Sequence, residues 1–111
     1  MQKSVINYAD FEKLDIRIGK ILEAEEVPGS DKLLKFLVDL GDLGQKVILS
    51  GIKKYFKPDQ LVGLQVVVLT NLEPKKMMGL ESQGMILFGD INDEPIILSP
   101  QKEVPAGTEV K

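Results

Sequence analysis

The chain has no cysteine and no histidine among its 111 residues. Without cysteine there is no disulfide framework and no thiol chemistry. Without histidine the commonest general base and metal ligand are gone, and with them every Ser-His or Cys-His nucleophile pairing. Aromatic residues are few: Tyr8, Phe11, Phe36, Tyr55, Phe56 and Phe88. Tyr8 and Phe11 fall in one helical pattern, Tyr55 and Phe56 in another, and Phe36 has the parity of core-facing residues. Exposed stacking platforms for unpaired bases, worth about 1–3 kcal/mol per base, are therefore not expected. No apolar leader stands at the N-terminus and no apolar run approaches membrane length, so a soluble cytoplasmic protein is the default. No glycine-rich phosphate loop follows a strand, and Asp90, Asp93 and Glu94 lack calcium-loop spacing. Neither enzyme activity, nor a metal, nor a cofactor is expected.

What is present is charge, unevenly placed. The formal net charge is −3. Residues 45–80 carry six lysines (Lys46, Lys53, Lys54, Lys57, Lys75, Lys76) and two acids (Asp59, Glu73), a local balance of +4. A basic stripe on an acidic body can hold phosphate at one face while the rest repels polyanions. The same lysines also fit a plain solvated face, and the residues alone leave both readings open.

The length fits one domain with one modest core. Asn7 can cap a short helix over Tyr8–Leu14, whose apolar side is placed to plug an end of that core. Residues 15–27 predict a long first strand, with a bulge or bend where the phase slips at Gly19-Lys20. Pro28-Gly29 makes a turn. Leu34, Phe36, Val38 and Leu40 then share the inward face of a second strand. Gly41–Gly44 forms a hairpin turn, and Val47 and Leu49 mark the inward face of a third strand. Ile52, Tyr55 and Phe56 have the spacing of a short helix. Pro58 is placed to start another turn and Gly63 to end it. Val66–Leu69 reads as a strand buried on both sides. A fifth strand is expected around Met85–Phe88, a turn at Asp90–Glu94, a short strand at Ile96–Leu98, and a last pairing segment after a turn at Glu103–Gly107.

The most informative stretch runs from Asn71 to Phe88. Lys75-Lys76 sits in a loop opened by Pro74 and closed by Gly79. Ser82, Gln83 and Met85 follow at the mouth of a strand. Lysine amines and side-chain amides, without exposed aromatics, suit a folded RNA read through its backbone and 2′-hydroxyls. Asn71–Lys76, Glu81-Ser82-Gln83-Gly84-Met85, Asp15–Ile21 and Ser30-Asp31-Lys32-Leu33 together resemble the tRNA-binding domain family. The resemblance runs from about Tyr8 to the C-terminus, with four motifs in order. It implies an all-β fold, a five-stranded OB-fold barrel with short helices, over one domain of residues 1–111 (core about 8–90).

The resemblance further implies a non-catalytic tRNA-binding role, either free-standing or as an appended part of methionyl-tRNA synthetase. Lys32, Lys75 and Lys76 would meet phosphates, and Ser82, Gln83 and Met85 would orient base or ribose edges. Lys53, Lys54 and Lys57 join this set on charge alone. Free-standing members of the family are homodimers. That points to residues 91–111 as a C-terminal dimerisation extension, with Ile96, Ile97, Leu98 and Val104 as its apolar interface. The alternative is a dimeric secretion-type peptide-binding chaperone of the same fold. It ranks second because those chaperones lack the Glu-Ser-Gln-Gly-Met and Asp-Lys-Leu patterns.

Overall fold

A computed structural model describes residues 2–111. The first long strand, β1 (Ile16–Glu26), runs through the middle of the sheet. Its early half pairs antiparallel with β4 (Gln65–Leu69), and its later half with β2 (Leu34–Asp39). β2 pairs with β3 (Gln45–Ser50), and β4 with β7 (Met85–Ile86). One strand serving two neighbours along its length is how five strands curl into a small barrel. The order β3-β2-β1-β4-β7 is that of the OB-fold. No described helix is long and apolar enough to cross a membrane.

The core follows from strand alternation. Leu34, Phe36, Val38 and Leu40 are all fully buried, as period-2 spacing predicts. Ile21, Ile48, Val66, Val68 and Ile86 close around them. Two expectations fail here. The register shift in β1 lies between Ile21 and Glu23, not at Gly19-Lys20. Gly19 is needed for space: a Cβ there would stand 2.5 Å from a Val38 methyl and 2.9 Å from one of Leu40. On β3 the inward residue is Ile48, opposite Phe36. Val47 and Leu49 lie on the other parity, and Leu49 is nevertheless buried.

The helices are slighter than their sequence spacing suggests. Helix α1 (Tyr8–Glu12) is capped by Asn7, whose Oδ1 accepts from the Asp10 N–H at 2.9 Å. It buries no residue, and Tyr8 and Leu14 are exposed, so it lies against the outside and plugs nothing. Ile52, Tyr55 and Phe56 form a single hydrogen-bonded turn, not a helix. Ile52 and Phe56 still reach the core, because one turn already puts positions i and i+4 on one side. Pro58–Gln60 is a 3-10 turn with Pro58 at its start, and the chain leaves through Gly63 at φ +91°.

Beyond the barrel lie two hairpins. β5 (Lys75–Met77) pairs with β6 (Leu80–Ser82), and β8 (Phe88–Ile91) with β9 (Glu94–Ile97). Each turns on two residues of positive φ, Met78-Gly79 and Asn92-Asp93, the backbone of a tight two-residue turn. β10 (Glu109–Val110) returns to pair with the first residues of β1.

Asp15 and Arg17 join that returning segment to β1. The guanidinium holds the Asp15 carboxylate at 2.6 Å and donates to the Gly107 carbonyl at 3.2 Å. Hydrogen bonding by Arg17 lowers the Asp15 pKa below its ordinary value, against a smaller opposing effect of burial. A lowered folded-state pKa adds stability above the ordinary carboxylate value, which is lost as pH falls through the folded value. Asp15→Asn should therefore narrow the gap in melting temperature between neutral pH and about pH 3. An unchanged gap would place the acid sensitivity on other carboxylates.

Candidate nucleic-acid interface

The expected basic loop is the β5–β6 hairpin. Lys75 and Lys76 are both exposed on it. Lys76 stands opposite Glu81 in the strand register, while Lys75 stands opposite Ser82. No ion pair forms between Lys76 and Glu81 among the described residues, yet the carboxylate sits on the same face and offsets part of that charge. Glu81 therefore belongs to the candidate edge, and it was not among the expected site residues. Its signal was the equal spacing of Lys76 and Glu81 from the two-residue turn, readable only once the turn is known.

The hairpin tip reaches the β1–β2 turn. The Met78 methyl lies over Gly29, 3.5 Å from where a Cβ there would stand. This turn carries Lys32. The Ser30 hydroxyl accepts from the N–H groups of Lys32 and Leu33 at 3.2 and 3.0 Å, which fixes the local backbone. Lys32 itself is exposed. Lys53 arrives at the same turn but is already occupied: its ammonium donates to the Ser30 carbonyl at 2.9 Å and lies 3.8 Å from Glu26. Lys54 and Lys57 are exposed, and no hydrogen bond or ion pair ties their side chains to the hairpin. So the fold sets the tip of the hairpin that carries Lys75 and Lys76 against the turn that carries Lys32, assigns Lys53 to holding that turn, and leaves Lys54 and Lys57 on their own segment.

Ser82, Gln83 and Met85 fall into three different situations. Met85 is exposed on β7. Ser82 is buried, and its hydroxyl is fully used: it accepts from the Leu49 N–H at 3.0 Å and donates to the Gly84 carbonyl at 3.0 Å. Gln83 is half-buried, with Oε1 accepting from the Val47 N–H at 2.9 Å. Its own N–H donates to the Val47 carbonyl at 2.8 Å. These bonds lay Ser82 and Gln83 along the free edge of β3. Gly84 then turns the chain into β7 at φ +152°, where a Cβ would press on the Leu69 carbonyl at 3.1 Å.

The expected interface residues of the C-terminal segment divide as well. Ile97 packs against the chain's own core. Val104 is clamped by Gln65, whose amide accepts from the Val104 N–H at 3.0 Å and donates to its carbonyl at 2.6 Å. Ile96 and Leu98 remain exposed.

An OB-type barrel bearing an exposed lysine hairpin beside a polar strand mouth defines a binding module. A profile of the tRNA binding domain family matches residues 16–109, and the chain belongs to that family of non-catalytic domains. It is 52% identical over 110 residues to the methionine–tRNA ligase of Methanothrix thermoacetophila, covering 99% of this chain and 16% of that protein. It is 50% identical to the methionine–tRNA ligase of Archaeoglobus fulgidus, with 98% and 16% covered. The chain thus spans about a sixth of the length of the curated relatives it matches. Among solved structures, a MetRS-related protein from Pyrococcus horikoshii superposes with a TM-score of 0.91 at 31% identity, covering 98% of this chain and all of that one. The chaperone CsaA of Bacillus anthracis superposes with a TM-score of 0.88 at 34% identity, covering 97% and 100%.

Proposed function

We propose that this domain docks tRNA on the edge formed by the β5–β6 hairpin and the Lys32 turn. The observation that carries the reading is the exposed Lys75-Lys76 pair, on a hairpin whose tip rests against the turn holding Lys32. Exposed ammonium groups on the hairpin and on the turn its tip touches suit the phosphates of a folded RNA, with Gln83 and Met85 for base or ribose contacts. Lys54 and Lys57 extend the positive field without belonging to the edge. The domain works in the cytoplasm, alone or joined to a methionyl-tRNA synthetase. It forms a homodimer through the open apolar residues of its C-terminal segment, Ile96 and Leu98, while Ile97 faces the chain's own core and Val104 is held by Gln65. A small barrel has little surplus core, and a two-fold contact is the commonest remedy.

The CsaA likeness supports a second reading, a dimeric chaperone that binds unfolded polypeptide. Gel shifts with bulk tRNA, run beside binding of an unfolded polypeptide, separate the two. Polypeptide binding without tRNA binding would reverse the order. Light scattering at micromolar concentration should show two chains, and a clean monomer would remove the dimer.

The division of labour is read from salt dependence. Each lysine that releases counterions contributes about one unit to the slope of log affinity against log salt, or somewhat less on single strands. Lys75→Ala and Lys76→Ala should each flatten the slope by roughly that amount. Because Glu81 already offsets Lys76, Lys75→Ala should lose the more affinity. If neither changes the slope, the docking edge lies elsewhere, and Lys54 and Lys57 are the next residues to test.

A further inference from the structure

The barrel is not closed by a continuous backbone ladder. β3 pairs with β2 along one edge, and its other edge has no strand in register. The Val47 and Leu49 N–H groups on that edge would be left without acceptors. Buried N–H groups without partners are costly, so something must take them. Gln83 Oε1 and Ser82 Oγ do so, and the Gln83 N–H returns a bond to the Val47 carbonyl. Two side chains thus stand in for a missing strand. Ser82 is the last residue of β6 and Gln83 follows it before β7, so the same seam ties the lysine hairpin to the barrel.

The chemistry of Gln83 fixes which way its amide points. Val47 offers an N–H, so the carbonyl oxygen must face it, and the NH2 group faces the opposite way. The Gln83 Nε2 has no hydrogen-bond partner among the described residues, and the side chain is half-buried beside exposed Met85.

We infer that Ser82 and Gln83 are positioning residues for the lysine hairpin: their oxygens close the β3 seam, and the Gln83 NH2 group is held at its rim as a donor for an RNA acceptor. Ser82 acts only through the seam, since its hydroxyl is buried and both donates and accepts within the chain. This rests on the proposed tRNA reading for the donor half, while the seam itself can be measured without RNA.

Four variants of the full chain separate the parts. Gln83→Met removes acceptor and donor together. Gln83→Glu keeps an acceptor for Val47 and loses the donor. Ser82→Thr restores a hydroxyl that Ser82→Ala lacks. Amide hydrogen exchange reads the seam, and tRNA binding across a salt series reads the edge. In Gln83→Met the Val47 amide should exchange about tenfold faster, the loss of one ordinary hydrogen bond, and the hairpin amides should follow it. The tRNA affinity should fall with an unchanged salt slope, because no charge is removed. Gln83→Glu should keep Val47 protected, and its tRNA affinity should fall further at low salt than that of Gln83→Met, because it adds a negative charge where the donor stood. Ser82→Ala should loosen Leu49 and weaken binding, with both recovered in Ser82→Thr. Unchanged exchange at Val47 in Gln83→Met would overturn the seam. Faster exchange with unaltered tRNA affinity would overturn the positioning role. Absence of tRNA binding by the parent would instead count against the tRNA reading alone, and the exchange data would still decide the seam. Should Gln83→Met fail to fold, the Gln83→Glu and Ser82 pairs carry the same comparison.

Discussion

Phe36→Ala is expected to destabilise the domain by about 3–5 kcal/mol, the range for truncating a fully buried aromatic residue. Phe36 has no exposed surface, stands opposite Ile48 on β3 and opposite Ala24 on β1, and is the largest fully buried side chain. Neighbours on three strands cannot all move inward, so the cavity stays open. A domain of this size has a total stability of roughly 5–15 kcal/mol, so the variant would be marginal or unfolded at growth temperature. Urea titration followed by circular dichroism measures the loss, and Phe36→Leu should cost less than half as much. A loss for alanine below about 1 kcal/mol would mean that the barrel collapses around the gap. Binding should disappear with the fold, since the lysine hairpin is held only by what closes on the barrel.

The second large effect lies where the C-terminal segment crosses the β2–β3 turn. Gly107 has φ +90°, and a Cβ there would stand 2.5 Å from the Leu40 carbonyl oxygen. Gly41 faces the Ala106 carbonyl in the same way, at φ +64°. Around this contact the Gly107 N–H donates to the Ile18 carbonyl at 2.7 Å, and the Ile18 N–H to the Thr108 carbonyl at 2.8 Å. Gly107→Ala combines left-handed strain with backbone overlap and should cost about 2–5 kcal/mol. Gly63 provides the control, since it has φ +91° with nothing within 4 Å of its would-be Cβ. Gly63→Ala should cost only the conformational strain, about 1–2 kcal/mol. Equal losses in the two variants would show that backbone overlap contributes nothing at Gly107.

The sequence makes some of this legible and hides the rest for physical reasons. On β2, Leu34, Phe36, Val38 and Leu40 alternate with Lys35 and Asp39, so the buried face is unambiguous. On β3, Val47-Ile48-Leu49 is apolar at every position, and parity alone cannot choose a face. Leu49 is buried although it lies on the other parity from Ile48, and alternation cannot signal a strand buried on both faces. Ser82 and Gln83 read as polar residues at a strand mouth, which suits a ligand contact and a structural surrogate equally well. Spacing at Ile52, Tyr55 and Phe56 is satisfied by a single turn as well as by a helix, and Pro58 stops the pattern before length could decide. The exposure of Lys75 and Lys76 was legible because charge next to Pro74 and Gly79 has few places to go but outward. Lys53 was not, because its carbonyl partner at Ser30 belongs to a turn more than twenty residues away.

The pairing of β10 with β1 has a consequence for how the domain can be carried. Ile16 stands beside Val110, so the chain enters and leaves the barrel at one place. Mechanically, the domain hangs from a single handle. A polypeptide that follows Val110 is anchored at that spot, and one on the other side reaches it through α1. Its reach toward the lysine hairpin is then set by linker length, roughly 5–6 Å times the square root of the residue number for a flexible chain. A ligand held at the hairpin would then meet any attached polypeptide at an effective concentration set by the tether.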